Sequence, residues 1–283
     1  MTPSVAIIAP GSMGAGIGQR LTEHKVTVLT SLAGRTEASA KRAREAGMQP
    51  VEDRALAEAD FLLSIVPPGD AVALARRLAP VLTAANKKPA YVECNAVSPP
   101  TMLKIADVIA ATGCPFVGAG IIGPPPKPGS TNTRIYASGP SAKDFARLND
   151  YGLIVRVLEG PLTAASALKM SYAGITKGIT ALGSSMMLGA ARFGCAEALL
   201  AELKSSQPDI FKYLSASIPR MYDKAYRWVA EMEEISDFHG SYKPAADIYA
   251  AIARHYEALA AAEAETAPGP DNPIKTLDRV LGR

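Results

Sequence analysis

Two lysines, Lys169 and Lys177, carry the only charges between Thr163 and Ala191, a stretch built mainly from Ala, Leu, Ile, Met, Gly and hydroxyl residues. An ammonium group held among apolar side chains loses solvation, which lowers its pKa toward neutrality and lets it accept and return a proton. Hydride transfer from an alcohol needs such a group: something must take the hydroxyl proton as the hydride leaves, and supply it in the reverse direction. Lys169 has Ala165, Ser166, Tyr172 and Ala173 as helical neighbours, with no carboxylate among them. Lys177, eight residues on and on nearly the same face, is the alternative, as the acid/base itself or as the partner of a carboxylate from elsewhere.

A hydride needs a carrier, and three stretches could hold one. Ala9-Pro10-Gly11-Ser12-Met13-Gly14 matches G-x-G-x-x-G except that Ala9 stands at the first glycine. It follows an apolar run of strand length, Val5–Ala9, and opens a helix. Gly11 would let the backbone approach a pyrophosphate resting on the helix N-terminus, and Gly14 would allow close helix–strand packing. After the second strand, where an acidic residue would hold the ribose diol of NAD, the chain reads Thr30-Ser31-Leu32-Ala33-Gly34-Arg35-Thr36. A guanidinium suits a 2′-phosphate and gains nothing from a diol, so Ser31, Arg35 and Thr36 point to NADP rather than NAD. Glu93-Cys94-Asn95-Ala96-Val97-Ser98-Pro99 lies at another strand's carboxyl end, the edge where such sheets bind ligands. Ser98 is also a good N-cap with Pro99 behind it, so it either caps, or caps and binds. Asn95 offers a donor and an acceptor. The proline-rich run from Ile121 through Gly123 to Gly129 is a stiff loop that either lines the substrate or holds the domain edge.

These groups need a scaffold, and the pattern supplies one. Strand-length runs at Val5–Ala9, Val26–Leu29, Phe61–Val66, Ala90–Cys94, Pro115–Ile122, Arg134–Ser138 and Leu153–Val157 alternate with helical segments as far as Gly160-Pro161. Such alternation predicts a Rossmann-type doubly wound α/β fold, a parallel sheet covered on both faces, over residues 1–161. Residues 162–283 read as all-α, over 196–204, 209–238, 244–264 and the tail from Ile274, with prolines at 208, 219, 244, 268 and 270 between. Thr163 is a plausible N-cap for one long helix of about 43 Å, so poor in charge that it should be buried nearly all round. Small residues four apart (Gly174 and Gly178; Ala181, Ser185 and Gly189) would let another backbone approach, and a homodimer is expected across them.

With 283 residues, 48% hydrophobic and 20% charged, the chain has ample core, and its net charge of +3 carries no basic run that would suit nucleic acid. Interruptions of the long helix argue against a membrane span. Cys94, Cys114 and Cys195 lack metal-ligand spacing and only three histidines are present, so no metal site is expected. A strand begins within a few residues of the start, without a signal peptide, which points to a cytoplasmic protein.

Taken in order, these stretches resemble the β-hydroxyacid dehydrogenase family, which includes the 6-phosphogluconate and 3-hydroxyisobutyrate dehydrogenases. Thr30-Ser31 and Arg35-Thr36 look like a lengthened form of the family's Asn-Arg-Thr turn, and Val66-Pro67 like the Leu-Pro that lies against the dinucleotide. Glu93–Pro99 is similar to the family's substrate segment, with Asn95 and Ser98 at its Ser positions. The resemblance implies that Lys169 is the catalytic lysine, with Asn95, Ser98, Gly123 and Tyr172 near a small-molecule substrate. Two departures stand out. Ile122-Gly123-Pro124 replaces the Ser-Gly-Gly that helps hold a substrate carboxylate, and Tyr172-Ala173 replaces an Asn-Asn pair. The expected activity is NADP-linked alcohol/carbonyl oxidoreduction on a bulkier or less acidic substrate. An imine reductase, or an NADP-binding protein without turnover, are the alternatives.

Overall fold

The computed structural model describes residues 2–127, 132–265, 269 and 271–283; Pro128 and Gly129 of the proline loop, and Pro268 and Pro270, lie outside them. The apolar runs form strands β1 (Ser4–Ile8), β2 (Thr27–Thr30), β3 (Gln49–Pro50), β4 (Phe61–Ser64), β5 (Ala90–Glu93), β6 (Phe116–Ile122), β7 (Arg134–Ser138) and β8 (Val155–Val157). Helices α1 (Ser12–Glu23), α2 (Glu37–Glu45), α3 (Asp53–Leu56), α4 (Ala71–Ala84), α5 (Pro99–Ala110) and α6 (Ala142–Phe145) alternate with them. The strands make one sheet in the order β3-β2-β1-β4-β5-β6-β7-β8. Successive residues of β1 feed opposite cores: Val5 and Ile7 join Ile17, Leu21, Ala43 and Phe145, while Ala6 and Ile8 join Leu74, Leu78, Met102 and Ile105. A strand covered on both faces has no reason to alternate with polar residues, which is why these runs are continuously apolar.

The sheet departs from the expected one in two places. β7 runs antiparallel to β6, from Gly118 opposite Ser138 to Ile122 opposite Arg134, and among the described residues no crossover helix lies between them. β3 was not foreseen: two exposed residues, Gln49 and Pro50, carry no apolar signal and are placed by pairing with Leu29 and Thr30.

The chain divides into two compact units, Met1–Met170 and Ser171–Arg283. Helix α7 (Ala164–Arg192) begins in the first and continues through the second, which adds α8 (Ala196–Ser206), α9 (Pro208–Met221), α10 (Ala225–Phe238), α11 (Lys243–Glu263) and α12 (Pro273–Leu281). The single helix expected over 209–238 is two, broken by a 3₁₀ turn at Tyr222–Lys224 just after Pro219, whose ring cannot donate into the helix. No helix among the described residues is long and apolar enough to cross a membrane.

Two expectations about α7 are corrected. It is not buried all round: Tyr172, Ile175, Ile179, Leu182 and Met186 form an exposed apolar stripe at alternating spacings of three and four. The Gly174–Gly178 ridge, expected to meet another chain, faces α11 of its own chain. A Cβ on Gly174 would lie 2.9 Å from the Tyr249 hydroxyl, and one on Gly178 would lie 3.8 Å from the same ring.

Candidate cofactor and proton-transfer site

The turn from β1 to α1 is cut for a phosphate. Gly11 is the extended N-cap of α1 and makes no side-chain cap, so the first-turn N–H groups of Ser12 and Met13 are offered outward. A Cβ on Gly11 would meet no atom within 4 Å, which leaves room for a ligand. Gly14 does the opposite job: a Cβ there would collide with the Ala9 carbonyl, so glycine lets the helix close down on β1. These residues fit a dinucleotide pyrophosphate.

The end of β2 supplies the next group. Thr30 is buried and spends its hydroxyl on the Ile7 carbonyl at 2.7 Å, tying β2 to the fingerprint strand. Ser31 is buried at the strand's end, Arg35 is half-buried beyond a turn through Gly34 at φ +68°, and Thr36 caps α2 through Ser39 N–H at 3.3 Å. Arg42, overlooked in the sequence, reaches back from α2 and donates from Nε to the Pro10 carbonyl at 3.2 Å.

The ends of β4 and β5 carry the next residues. Asn95 is 4% exposed; its Oδ1 accepts from Val66 N–H at 2.6 Å and its Nδ2 donates to Ser64 Oγ at 2.8 Å. Its own N–H donates to Glu93 Oε1 at 3.0 Å. With one bond at each end of the amide, Asn95 holds the Val66-Pro67 segment in place. Ser98 is fully buried and caps α5, accepting from Thr101 N–H at 3.4 Å. Burial first, then the neighbouring Glu93 charge, pushes the Cys94 thiol well above its usual range, so it is no nucleophile.

Lys169 is seated by three devices. Ser138 Oγ, fully buried, donates to the Leu162 carbonyl at 2.7 Å and accepts from Ala165 N–H at 3.0 Å, capping the start of α7 from outside it. Ser166 Oγ donates to the Val97 carbonyl at 2.5 Å, joining the first turn of α7 to the segment that carries Ser98. Gly118 and Gly120 alternate on one face of β6; a Cβ on Gly118 would strike the Leu162 carbonyl, and one on Gly120 would sit 2.9 Å from Lys169 Cβ. Lys169 lies one turn beyond Ser166 on the same face. The carboxyl end of β5, the fingerprint turn and the second-strand arginines share one sheet edge because β2, β1, β4 and β5 are parallel.

The other expected residues fall as follows. Gly123 stands at φ +121° just past β6, where a side chain would run into the Asn132 carbonyl. Thr133 Oγ1 closes the same turn on the Pro124 carbonyl, and Pro126 packs against α1, 3.0 Å from where a Cβ of Gly16 would be. Gly123 therefore has a backbone task. Tyr172 lies in the second unit, 48% exposed. Of the residues overlooked, Gly118 and Gly120 had a signal, since two glycines at alternate strand positions mark a close approach. Ser64, Ser138 and Arg42 had none.

Several known proteins are similar to this chain. Residues 190–259 match a domain of unknown function, DUF1932. An uncharacterized 28.5 kDa protein from the 7S RNA 5′ region of Methanothermus fervidus is 27% identical over 215 residues, 75% of this chain and 81% of that protein. A conserved protein of unknown function, described as structurally similar to 3-hydroxyacid dehydrogenases, superposes with TM-score 0.68 at 29% identity, over 90% of this chain and 96% of its own. The Mycobacterium tuberculosis 3-hydroxyisobutyrate dehydrogenase, solved with L-serine, gives TM-score 0.73 at 17% identity over 98% and 99%, a likeness of fold. Residues 4–150 match the NAD binding domain of 6-phosphogluconate dehydrogenase, and since that match spans more than half of the chain, the protein belongs to this family.

Proposed function

We propose that the protein is an NADP-dependent oxidoreductase in which Lys169 exchanges a proton with the substrate oxygen. The observation that carries this is the seat of Lys169: Gly120 beneath it and the Ser166–Val97 bond beside it fix the lysine against the β5–α5 turn. When bound, the nicotinamide accepts or donates the hydride. Gly11, Ser12 and Met13 hold the pyrophosphate with backbone N–H groups, Gly14 sets their helix, and Val66-Pro67, braced by Asn95, lies against the dinucleotide. Ser31, Arg35 and Thr36 take the ribose end, where Arg35 pairs with the 2′-phosphate. Ser98 orients the substrate while capping α5.

Ile122-Gly123-Pro124 lacks the hydroxyl that would grip a substrate carboxylate, so the substrate is an alcohol or ketone less acidic than a small hydroxyacid. The working assembly is a homodimer, with the stripe Tyr172, Ile175, Ile179, Leu182 and Met186 covered by a second copy of the chain.

Screening NADP⁺ reduction over hydroxyacids and plain alcohols, and NADPH oxidation over ketones and imines, tests the reaction. Turnover is expected on an alcohol/ketone pair and is lost with Lys169→Met. Turnover on imines alone, or near wild-type rates in that variant, would refute it. Arg35→Ala should cost roughly 1.5–3 kcal/mol of NADPH binding.

A further inference from the structure

Three arginines or lysines stand close together on α2, and one is unlike the others. Lys41 is 69% exposed and pairs with Glu45; Arg44 is 58% exposed and pairs with Glu37. Both are solvated helix charges of the ordinary kind. Arg42 between them is half-buried and turns inward. Its Nε donates to the Pro10 carbonyl at 3.2 Å and its Nη2 to Ser39 Oγ at 2.9 Å, and both acceptors are neutral. A guanidinium has five N–H donors in a planar fork, so these two bonds fix its plane and leave donors to spare.

Its position says what those donors can meet. Pro10 immediately precedes Gly11, the residue with open space before it. α2 follows the end of β2, so Arg42 comes to the fingerprint turn from the ribose side, whereas the pyrophosphate is met by α1. Arg35 stands just before α2's cap Thr36, and Ser39 shares a helix face with Arg42. In the chain, Arg35 precedes and Arg42 follows a hydroxyl pair in the first turn of α2, Thr36 and Ser39, whose oxygens lie 3.3 Å apart, and Arg42 is bonded to the second of them. A dianionic phosphomonoester is the ligand this set suits, because it offers several acceptor oxygens and enough charge for two cations.

We infer that Arg42 is a second specificity-determining residue for the cofactor, joining Arg35 on the 2′-phosphate of NADP(H). The inference rests on the cofactor assignment above and adds a residue to it. Its bond to Pro10 fixes the guanidinium beside the fingerprint turn.

The test separates reading from bracing. Wild type, Arg42→Ala and Arg42→Gln are titrated with NADPH, NADH, adenosine 2′,5′-bisphosphate and 5′-AMP, with thermal unfolding alongside. Gln keeps a neutral donor for Pro10 but loses the charge. Both variants are expected to weaken NADPH and the 2′,5′-bisphosphate on the order of 10–100-fold, with NADH and 5′-AMP moving by less than about threefold. Equal losses for the phosphorylated and unphosphorylated ligands, rescued by Gln, would make Arg42 a brace for the turn and overturn the inference. Unchanged affinities in both variants would overturn it too. Should wild type bind neither dinucleotide, or prefer NADH, the cofactor assignment fails first, and that outcome is visible before any variant is made.

Discussion

The start of α7 and its middle are made of similar residues and are used differently. At its start, the Ser138 hydroxyl of β7, the bond from the helix's own Ser166 to the Val97 carbonyl, and the close approach of the bare β6 backbone at Gly118 and Gly120 fix the helix to the sheet. Further along, the polar contacts include an ion pair: Lys177 Nζ bonds Glu231 Oε2 and lies 4.7 Å from the Trp228 ring centroid. Tyr256 OH donates to the Lys177 carbonyl at 2.6 Å. Lys177 is therefore a structural lysine, the carboxylate-paired alternative left open by the sequence. Helix periodicity places two lysines on one face; the partner elements give them different surroundings.

The largest expected effect breaks that comparison directly. Lys169→Met should lower turnover by roughly 10²–10⁴ while leaving dinucleotide binding intact, measured by steady-state rates and NADPH titration. Lys177→Met should instead lower stability. The side chains of the Lys177–Glu231 pair are only 15% and 9% exposed, and removing one member of a buried pair costs about 3–5 kcal/mol. Denaturant unfolding would register that loss. If Lys177→Met is as stable as wild type, the clamp assignment is wrong.

How much of this was readable beforehand depends on the range of the interactions. The fingerprint, the cap at Ser98 and the lysine-bearing helix are local patterns, and they stand where the pattern put them. The Asn95–Ser64 bond was not readable, because it requires knowing that β4 and β5 are neighbours. Arg42 was not readable either, since nothing in Lys41-Arg42-Ala43-Arg44 marks one cation as inward-facing. The stripe on α7 misled for another reason: scarcity of charge says a face avoids water without saying what covers it.

That stripe gives the second prediction. Ile179 and Leu182 are 43% and 57% exposed, and fully burying such a side chain is worth about 1.5–3 kcal/mol. Ile179→Glu or Leu182→Glu should convert a dimer to a monomer in light scattering at micromolar concentration. A monomeric wild type would remove the second copy from the account.

The glycines sharpen the contrast with opposite signs. Gly120→Ala forces a Cβ to 2.9 Å from Lys169 Cβ and 3.0 Å from the Ala165 carbonyl oxygen, both on a strand-packed helix that cannot move alone. Overpacking of that kind costs about 1–3 kcal/mol, and turnover should fall with it. Gly178→Ala meets nothing closer than 3.8 Å and exchanges a poor helix former for the best one, for a gain of roughly 0.5–1 kcal/mol. Paired melting curves should therefore move in opposite directions. Both moving down would mean the middle of α7 is packed as tightly as its start.

The smallest effect tests whether the start of α7 is held by one hydroxyl. Ser138 serves as a cap supplied by β7, accepting from Ala165 N–H at 3.0 Å and donating to the Leu162 carbonyl at 2.7 Å, at a position with no exposed surface. Ser138→Ala leaves an orphan donor and an orphan acceptor at the helix start, where losing a cap typically costs about 1 kcal/mol. Thr should restore the hydroxyl at the price of one methyl group near Gly118. Hydrogen exchange gives the local readout: the amides of residues 165–169 should lose protection in the Ala variant while those of the α7 middle keep theirs. Because Lys169 is carried by these turns, turnover should fall modestly in step with the lost protection. If residues 165–169 exchange as slowly as in wild type, the sheet contact through Gly118 and Gly120 is enough to hold the lysine, and the external cap is dispensable.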